Sequence, residues 1–224
     1  MTLADIERPA APTLRAMNFW DQNFAAPGYK YGMQPNAFLV WQAQRIAPAS
    51  DVLVPGDGEG RNGVWLAQQG HHVTAMDGSS VGLLKAQALA AERGVVIATE
   101  HGDLADWAPA PARFDAVVLT FVHLPPAIRA GAHRRLAAGL RPGGLLLLEA
   151  FHPLQLQHGS GGPKDEAMLY TPELLRADFG DALEELMAWQ GEVTLDEGPG
   201  HQGRAHVTRW VGRAPVMGCS TIGA

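Results

Sequence analysis

The stretch that decides the fold is Asp51–Gly70, which reads DVLVPGDGEGRNGVWLAQQG. Its first five residues form a short apolar run, and glycines at 56, 58 and 60 follow at once. Residues 62–69 continue as a helical segment that stops at Gly70, a residue suited to a helix C-cap. The stretch therefore predicts a strand, a tight loop and a helix in immediate succession.

The same alternation of strand and helix continues on both sides. A helix is predicted over 36–47, and further strands and helices follow in turn at 72–76, 80–93, 95–99, 114–120, from Pro125 onward, and at 145–150. Apolar strands separated by helices are typical of a parallel sheet covered on both faces. We predict an α/β, doubly wound fold.

After Phe151 the pattern changes. Thr171 and Pro172 mark the start of a short helix, because a Thr N-cap followed by Pro at the first position favours one. Two further apolar segments, 183–194 and 205–212, are joined by a glycine-rich turn and predict a terminal antiparallel hairpin.

Composition limits the possible partners. The 224 residues carry a formal charge of -6 with no long basic run, so nucleic acid and anionic membranes are not expected partners. No segment approaches the roughly 20 apolar residues that span a bilayer, and residues 1–12 lack the apolar run of a signal peptide. The single cysteine, Cys219, cannot form an internal disulfide, which suits a cytoplasmic protein. We predict one domain, either a monomer or a dimer.

The glycine loop indicates what kind of ligand it binds. In a dinucleotide-binding loop the third glycine comes three residues after the second, and here Arg61 occupies that position. Asp57 and Glu59 within the loop would also repel a pyrophosphate. A ligand with a positive centre and no phosphate suits the loop better.

Two acidic residues follow the next two strands. Asp77 comes 21 residues after Gly56, close to the spacing at which a carboxylate binds ribose hydroxyls. The alternative is that it caps the helix starting near Ser80, a role that Ser79 fills equally well. Asp103 follows the third strand, where it would accept the amine of an adenine or simply form a turn.

These residues carry a family resemblance. GDGEG at 56–60, Asp77, GDL at 102–104, FDAVVL at 114–119 and LRPGG at 140–144 resemble the class I S-adenosylmethionine-dependent methyltransferases over about 52–150. GDGEGRN, DGSS, HLP at 123–125, GGPKD at 161–165 and HQG at 201–203 further resemble a small bacterial branch related to tellurite-resistance-type methyltransferases.

The resemblance implies a seven-stranded sheet ordered 3-2-1-4-5-7-6 with an antiparallel last strand, and S-adenosylmethionine as the cofactor. One departure is Val54, where the family often carries an acidic residue. The implied cofactor site comprises Tyr31, Gly56, Asp57, Gly58, Gly60, Asp77, Gly78, Ser79, Asp103, Leu104, Thr120 and Phe121.

Methyl transfer mainly requires alignment of the reacting atoms, and an oxygen or nitrogen acceptor also needs a base. His123 is our candidate catalytic residue because it follows the fourth strand. His152, Lys164 and His201 are candidate substrate contacts. For each histidine the alternative is a structural role. No spacing of residues indicates a metal site.

Within the single domain we predict an N-terminal lid (1–35), a cofactor-binding core (36–150), a substrate-side segment with the hairpin (151–213) and a flexible tail (214–224). Tyr31 belongs to the lid, although core packing would also explain its aromatic neighbours. The glycine-rich stretch 158–165 is predicted to be a mobile flap that contains Lys164.

The leading prediction is a methyltransferase acting on a small molecule, with a thiol or chalcogen oxyanion as the acceptor. A nucleoside-binding module without turnover and a nicotinamide-dependent oxidoreductase remain alternatives.

Overall fold

The computed structural model describes residues 19–216, so the predictions for residues 1–12 and for Cys219 lie outside it. The helices are α1 (Phe19–Phe24), α2 (Ala37–Gln42), α3 (Arg61–Gln68), α4 (Ser80–Glu92), α5 (Pro126–Ala138) and α6 (Pro172–Phe179). The strands are β1 (Asp51–Pro55), β2 (His72–Asp77), β3 (Ala98–His101), β4 (Phe114–Thr120), β5 (Leu140–Phe151), β6 (Glu184–Asp196) and β7 (Gln202–Arg213). Short 3-10 turns cover Ala43–Arg45, Pro153–Gln157, Glu166–Met168 and Gly180–Ala182.

The seven strands form one sheet in the order β3-β2-β1-β4-β5-β7-β6, which confirms the predicted order. Neighbours from β3 to β5 are parallel, whereas β7 runs antiparallel to both β5 and β6. Strand β1 has β2 as its neighbour on one side and β4 on the other, so the direction in which strands are added to the sheet reverses at β1. Ligands bind at the carboxyl ends of the strands beside such a switch in open α/β sheets.

Both faces of the sheet are covered. Val52 and Val54 pack into one apolar cluster with residues of α3 and α4. Leu53, between them, packs into a second cluster with residues of α5 and α6. The uninterrupted apolar run of β1 is thus explained, because its alternate side chains serve two separate cores.

Strand β3 lies further along the chain than predicted. Pairing with β2 begins where Thr74 aligns with Ala98, so the apolar residues Val95 and Val96 precede the strand. Val96 is 90% exposed. The structure corrects our prediction of 95–99. Because β3 lies at the edge of the sheet, its polar residues 99–101 can pair with β2 without contributing apolar side chains to a core.

Strand β5 is longer than predicted. It begins at Leu140, and the pairing register with β4 shifts before Leu145. Gly143 and Gly144, which we expected to end the preceding segment, form this irregularity and pair through backbone bonds with Ala214. Ala214 is buried, so the first residue of the predicted tail is packed against the sheet. Among residues 19–216, no helix is long and apolar enough to cross a membrane.

Candidate active site

The glycine loop between β1 and α3 is built on left-handed backbone. Gly56, Gly58 and Gly60 have φ values of 66°, 57° and 90°. A Cβ at Gly60 would lie 2.6 Å from the Cα of Ala86 in α4, so only glycine permits this approach of loop and helix. The loop carries no side chain at these three positions, so other groups can approach its backbone closely.

Asp77 at the end of β2 fixes this loop. Its carboxylate accepts hydrogen bonds from the backbone N–H of Gly58 at 2.8 Å and of Ser79 at 2.7 Å. Burial raises the pKa of Asp77, and the two backbone donors oppose that rise. Ser79 is the N-cap of α4, since its hydroxyl accepts from Gly82 N–H at 3.0 Å. Gly78 lies between the two and accepts from the His101 ring through its carbonyl at 3.1 Å.

The two acids inside the loop do not face outward. The Asp57 carboxylate accepts a hydrogen bond from Gly63 N–H at 3.2 Å and so caps the N-terminus of α3. Burial raises the pKa of Asp57 to about 7. Glu59 pairs with Lys85 at 2.8 Å. We placed Asp57 among the cofactor contacts, but its side chain is directed into α3, because the first turn of the helix needs an acceptor.

The residues predicted to meet the adenine lie after β3. Asp103 is exposed, and its side chain accepts from Ala105 N–H at 2.8 Å, which is the turn-forming role that we gave as the alternative. The Leu104 carbonyl accepts from Arg135 at 2.6 Å. An adenine contact at either residue stays a prediction.

The end of β4 approaches the loop. The Thr120 hydroxyl accepts from Asn62 at 2.6 Å. Phe121 has a φ of 55°, a conformation that non-glycine residues adopt mainly under local constraint. Val122 packs on the loop, since its Cγ2 is 2.6 Å from the position that a Cβ on Gly56 would take.

Residues 19–31, which we name the N-terminal strap, lie across the loop and the start of α4. Asp21 accepts from the Ser79 hydroxyl at 2.7 Å and from Val81 N–H at 3.2 Å. Phe24 packs on Gly58, 3.0 Å from its Cβ position. Further bonds hold the middle of the strap: the Lys85 ammonium donates to the carbonyls of Ala26 and Gly28 at 2.7 Å each, and Lys30 N–H donates to Glu59 at 2.7 Å.

His123 is held by the backbone at both ring nitrogens. Nδ1 lies 2.7 Å from the Met168 carbonyl, and Nε2 accepts from Phe151 N–H at 3.2 Å. Burial lowers the pKa of His123 to about 4, so the ring is neutral at physiological pH. Its catalytic role stays a prediction, and the geometry gives it a structural role, because neither nitrogen is free to take a proton from an acceptor.

His201 lies in an aromatic cluster. Its ring centroid is 4.5 Å from that of Tyr31, 4.4 Å from that of Phe121 and 5.2 Å from that of Phe151. Burial lowers its pKa. Its Nδ1 is buried and has no hydrogen-bond partner. The structure thus brings Tyr31, Phe121 and His201 together, and their roles in binding stay predictions.

Two predicted substrate contacts lie outside this cluster. His152 accepts from Leu154 N–H at 3.1 Å, and its ring adjoins that of His206 at 4.7 Å. Lys164 is exposed. The stretch 158–165 that contains it is anchored in part, since the Ser160 hydroxyl is buried and donates to the Arg204 carbonyl at 2.7 Å. Substrate contacts of His152 and Lys164 stay predictions.

A buried polar network that was not predicted from the sequence lies behind the aromatic cluster. Asn36 donates to Glu149 at 2.5 Å and to Glu197 at 2.9 Å. Arg209 pairs with Glu149 at 2.6 Å, and Arg61 pairs with Glu197 at 2.7 Å. One signal was available, because Glu149 is the charged residue in the otherwise apolar run LLLLEAF. Among residues 19–216, no group of three or more His, Cys, Asp or Glu is placed to hold a metal ion.

Comparison with known proteins agrees with this geometry. Residues 52–144 match the family model described as a methyltransferase domain. Over this stretch the chain is similar to the methyltransferase domains of the class I S-adenosylmethionine-dependent enzymes. The cofactor of this class is S-adenosylmethionine.

A curated relative of this chain is the 2-heptyl-1-hydroxyquinolin-4(1H)-one methyltransferase of Mycobacteroides abscessus. The two are 25% identical over 146 residues, a stretch that spans 64% of this chain and 64% of the relative. Among solved structures, N-methyltransferase NodS from Bradyrhizobium japonicum WM9 in complex with S-adenosyl-l-homocysteine has a TM-score of 0.65 at 17% identity, covering 88% of this chain and 96% of that one. TehB from Haemophilus influenzae has a TM-score of 0.64 at 18% identity, covering 88% of this chain and 66% of that one.

The residues around the glycine loop fit S-adenosylmethionine. The loop offers bare glycine backbone, Asp77 places a carboxylate beside it, and Arg61 has a buried guanidinium nitrogen with no partner. Phe24 and Val122 pack against Gly58 and Gly56.

Proposed function

We propose that this chain transfers a methyl group from S-adenosylmethionine to a small-molecule acceptor. The observation that carries the proposal is the three-glycine loop whose central N–H is bound by the buried carboxylate of Asp77. When bound, the cofactor supplies a methyl group on a positively charged sulfur.

In this proposal different residues bind different parts of the cofactor. Asp77 receives the ribose hydroxyls, while Gly56 and Gly58 lie beneath the amino-acid part of the cofactor. The N-terminal strap acts as a lid, because Lys85 and Asp21 already latch it over the loop. A closed strap excludes water from the reacting atoms, which strengthens the electrostatic interactions within the site.

We propose a small acceptor because the chain has a net charge of -6, which gives no attraction to nucleic acid. A thiol or chalcogen oxyanion is our first proposal, supported by the motifs HLP, GGPKD and HQG. A thiolate, selenide or telluride needs no base near neutral pH, which agrees with a His123 whose ring nitrogens both contact backbone.

A hydroxyl on an aromatic ring is the second candidate acceptor. Burial lowers the pKa of His201, and its ring lies among those of Tyr31, Phe121 and Phe151 with an unpartnered Nδ1, so we propose His201 as the base. The curated relative is named for an N-hydroxylated quinolone. Replacing His201 with Asn separates the candidates: methylation of a phenol then falls while methylation of a thiol continues.

The test is product formation with methyl-labelled S-adenosylmethionine against a panel of thiols, selenite, tellurite, phenols and N-hydroxyquinolones. Labelled product with any panel member supports the proposal. Tight binding of the cofactor without product from any of them favours the nucleoside-binding module. Quenching or enhancement of NADH fluorescence on titration with the protein would instead favour the oxidoreductase.

A further inference from the structure

Gln155 is a buried glutamine whose amide joins three segments of the chain. It ends the 3-10 turn Pro153–Gln157 that follows β5, and it is 1% exposed. Its Nε2 donates to the Ser160 hydroxyl at 2.9 Å and to the Gly161 carbonyl at 3.1 Å. Its Oε1 accepts from the backbone N–H of His206 in β7 at 2.8 Å. One side chain thus ties the glycine-rich stretch 158–165 to the sheet.

The stretch that Gln155 holds packs against the aromatic cluster. A Cβ on Gly161 would lie 2.8 Å from Cδ2 and 3.4 Å from Nε2 of His201. A Cβ on Gly162 would lie 2.6 Å from Cδ2 of Phe151. The two glycines have φ values of 118° and 87°, so a residue with a side chain would be strained here as well as too close. Bare backbone therefore covers His201 and Phe151, and both rings are buried.

This contact helps to set the orientation of the His201 ring. The bond between Nε2 and Cδ2 lies opposite Nδ1 in an imidazole, so Gly161 supports the ring on the side away from Nδ1. The rings of Tyr31 and Phe121 pack on it at centroid distances of 4.5 Å and 4.4 Å. Nδ1 has no hydrogen-bond partner, and the Glu197 carboxylate at 3.9 Å is too distant for one. Packing therefore directs Nδ1, and Gly161 is part of that packing.

We propose that Gln155 is a positioning residue for methyl transfer: by holding Gly161 and Gly162 against the aromatic cluster, it fixes where His201 meets the acceptor. The inference rests on the proposed function, in which His201 lies beside the acceptor, and adds the residue that sets its position. Loss of the amide should impair use of the acceptor and spare the cofactor, because the partners of Gln155 lie in the stretch 158–165 and in β7 rather than in the glycine loop.

The first measurement is the chemical accessibility of His201. Diethyl pyrocarbonate acylates neutral imidazole nitrogens, and peptide mass spectrometry identifies each modified histidine. Gln155→Met keeps about the same side-chain volume but has no amide, so the stretch loses two hydrogen bonds. The rate of His201 modification should rise by about tenfold to a hundredfold, the range for opening a segment that two hydrogen bonds hold closed.

Ser160→Ala is a smaller change and covers the case in which Gln155→Met does not fold. It removes the hydroxyl that accepts from Gln155 and donates to the Arg204 carbonyl at 2.7 Å, and it leaves the Gln155 bond to Gly161 in place. Modification of His201 should rise by about twofold to tenfold, the range for a single hydrogen bond.

The second measurement separates the acceptor from the cofactor. In Gln155→Met, kcat/KM for the acceptor identified with methyl-labelled S-adenosylmethionine should fall by up to about a hundredfold, the loss that a displacement of about 1 Å beside the reacting atoms can cause. The calorimetric Kd of S-adenosylhomocysteine should stay within about twofold of its original value, because the glycine loop is unaltered.

Gln42→Met is the matched control. Gln42 is also 1% exposed, but it ends α2 and accepts from Arg45 at 2.7 Å. Its replacement should lower stability and leave both the modification of His201 and kcat/KM for the acceptor unchanged.

Unchanged modification of His201 in Gln155→Met and Ser160→Ala would overturn the inference, as would raised modification with an unaltered kcat/KM for the acceptor. Equal losses in S-adenosylhomocysteine affinity and in kcat/KM for the acceptor would also overturn it, since they would indicate a general disturbance of the fold. The proposed function fails separately, and the inference with it, if the original chain binds no S-adenosylhomocysteine or forms no labelled product.

Discussion

Asp57 and Asp77 are buried carboxylates whose pKa values burial raises, but they have different partners. Asp57 accepts from Gly63 and serves the first turn of α3. Asp77 joins Gly58 to Ser79 at the carboxyl end of the sheet. The first is committed to the helix, whereas the second lies at the edge where ligands bind.

Asp57→Asn should change how stability depends on pH. The ordinary pKa of this carboxyl is 3.8, and in the folded chain it is about 7. Between those values the folded state keeps a proton that the unfolded state has released, so stability falls as pH rises. In the Asp57→Asn variant the amide oxygen can still accept a hydrogen bond from Gly63 N–H, but the side chain no longer titrates. From pH 5 to pH 8 the original chain should lose on the order of 2 kcal/mol relative to the variant.

Urea unfolding of both chains at pH 5, 6.5 and 8 measures this difference directly. Other buried acids, such as Glu149, titrate in both proteins and cancel in the comparison. Parallel stability curves for the two chains would mean that Asp57 is ionised in the folded state.

Asp77→Ala should weaken binding of S-adenosylhomocysteine by several kcal/mol at most, because a buried charged acceptor is lost and two hydroxyls go unpaired. Calorimetric titration measures the change. Asp106→Asn, an exposed carboxylate after β3, is the control and should bind as the original chain does. An unaltered affinity in Asp77→Ala would remove this residue from the cofactor site.

Among the elements, β1 and β4 have the predicted bounds because each is an apolar run ended by glycine or by polar residues. Strand β3 could not be placed from its own residues. Val95 and Val96 look like strand, but the pairing that defines β3 depends on β2, whose position is not encoded locally. The same holds for β5, where the glycines form a register shift against β4 rather than a break.

Gly60→Ala should destabilise the chain more than Gly70→Ala does. Both glycines have left-handed backbone, with φ of 90° and 89°. A Cβ on Gly70 meets nothing within 4 Å, whereas one on Gly60 would lie 2.6 Å from the Ala86 backbone. The control should cost about 1 kcal/mol through its backbone conformation alone. Gly60→Ala should cost roughly 1–3 kcal/mol more, because α4 has to shift as well.

Chemical unfolding of both variants at one pH gives the two free energies. Equal losses would show that the loop and α4 adjust without strain, and that the close approach at Gly60 is not required for the fold.

At the scale of the whole molecule, part of the site follows from topology and part does not. The loop and Asp77 could be placed in advance because they terminate adjacent parallel strands, whose carboxyl ends meet. Arg61, Glu149 and Glu197 could not, since the bond from Asn36 to Glu197 joins residues 161 positions apart. Only the packing of α2 and the hairpin onto the sheet brings these groups together.

The same packing predicts how the molecule responds to its ligand. S-adenosylhomocysteine at a hundredfold excess over its Kd should stabilise the fold by about 2.7 kcal/mol, since a ligand that binds only the folded state shifts unfolding by mass action. NADH at the same concentration should leave the unfolding curve unchanged, because Arg61 stands where a dinucleotide loop needs glycine.

Hydrogen exchange on the same samples tests whether the N-terminal strap shares in this response. Phe24 of the strap packs on Gly58, so if the strap is the lid, protection in residues 19–31 should change more than in β1 or β4. Stabilisation by S-adenosylhomocysteine with unchanged exchange in the strap would retain the cofactor site but reject the strap as its lid. Stabilisation by NADH instead would contradict the cofactor assignment and favour the oxidoreductase.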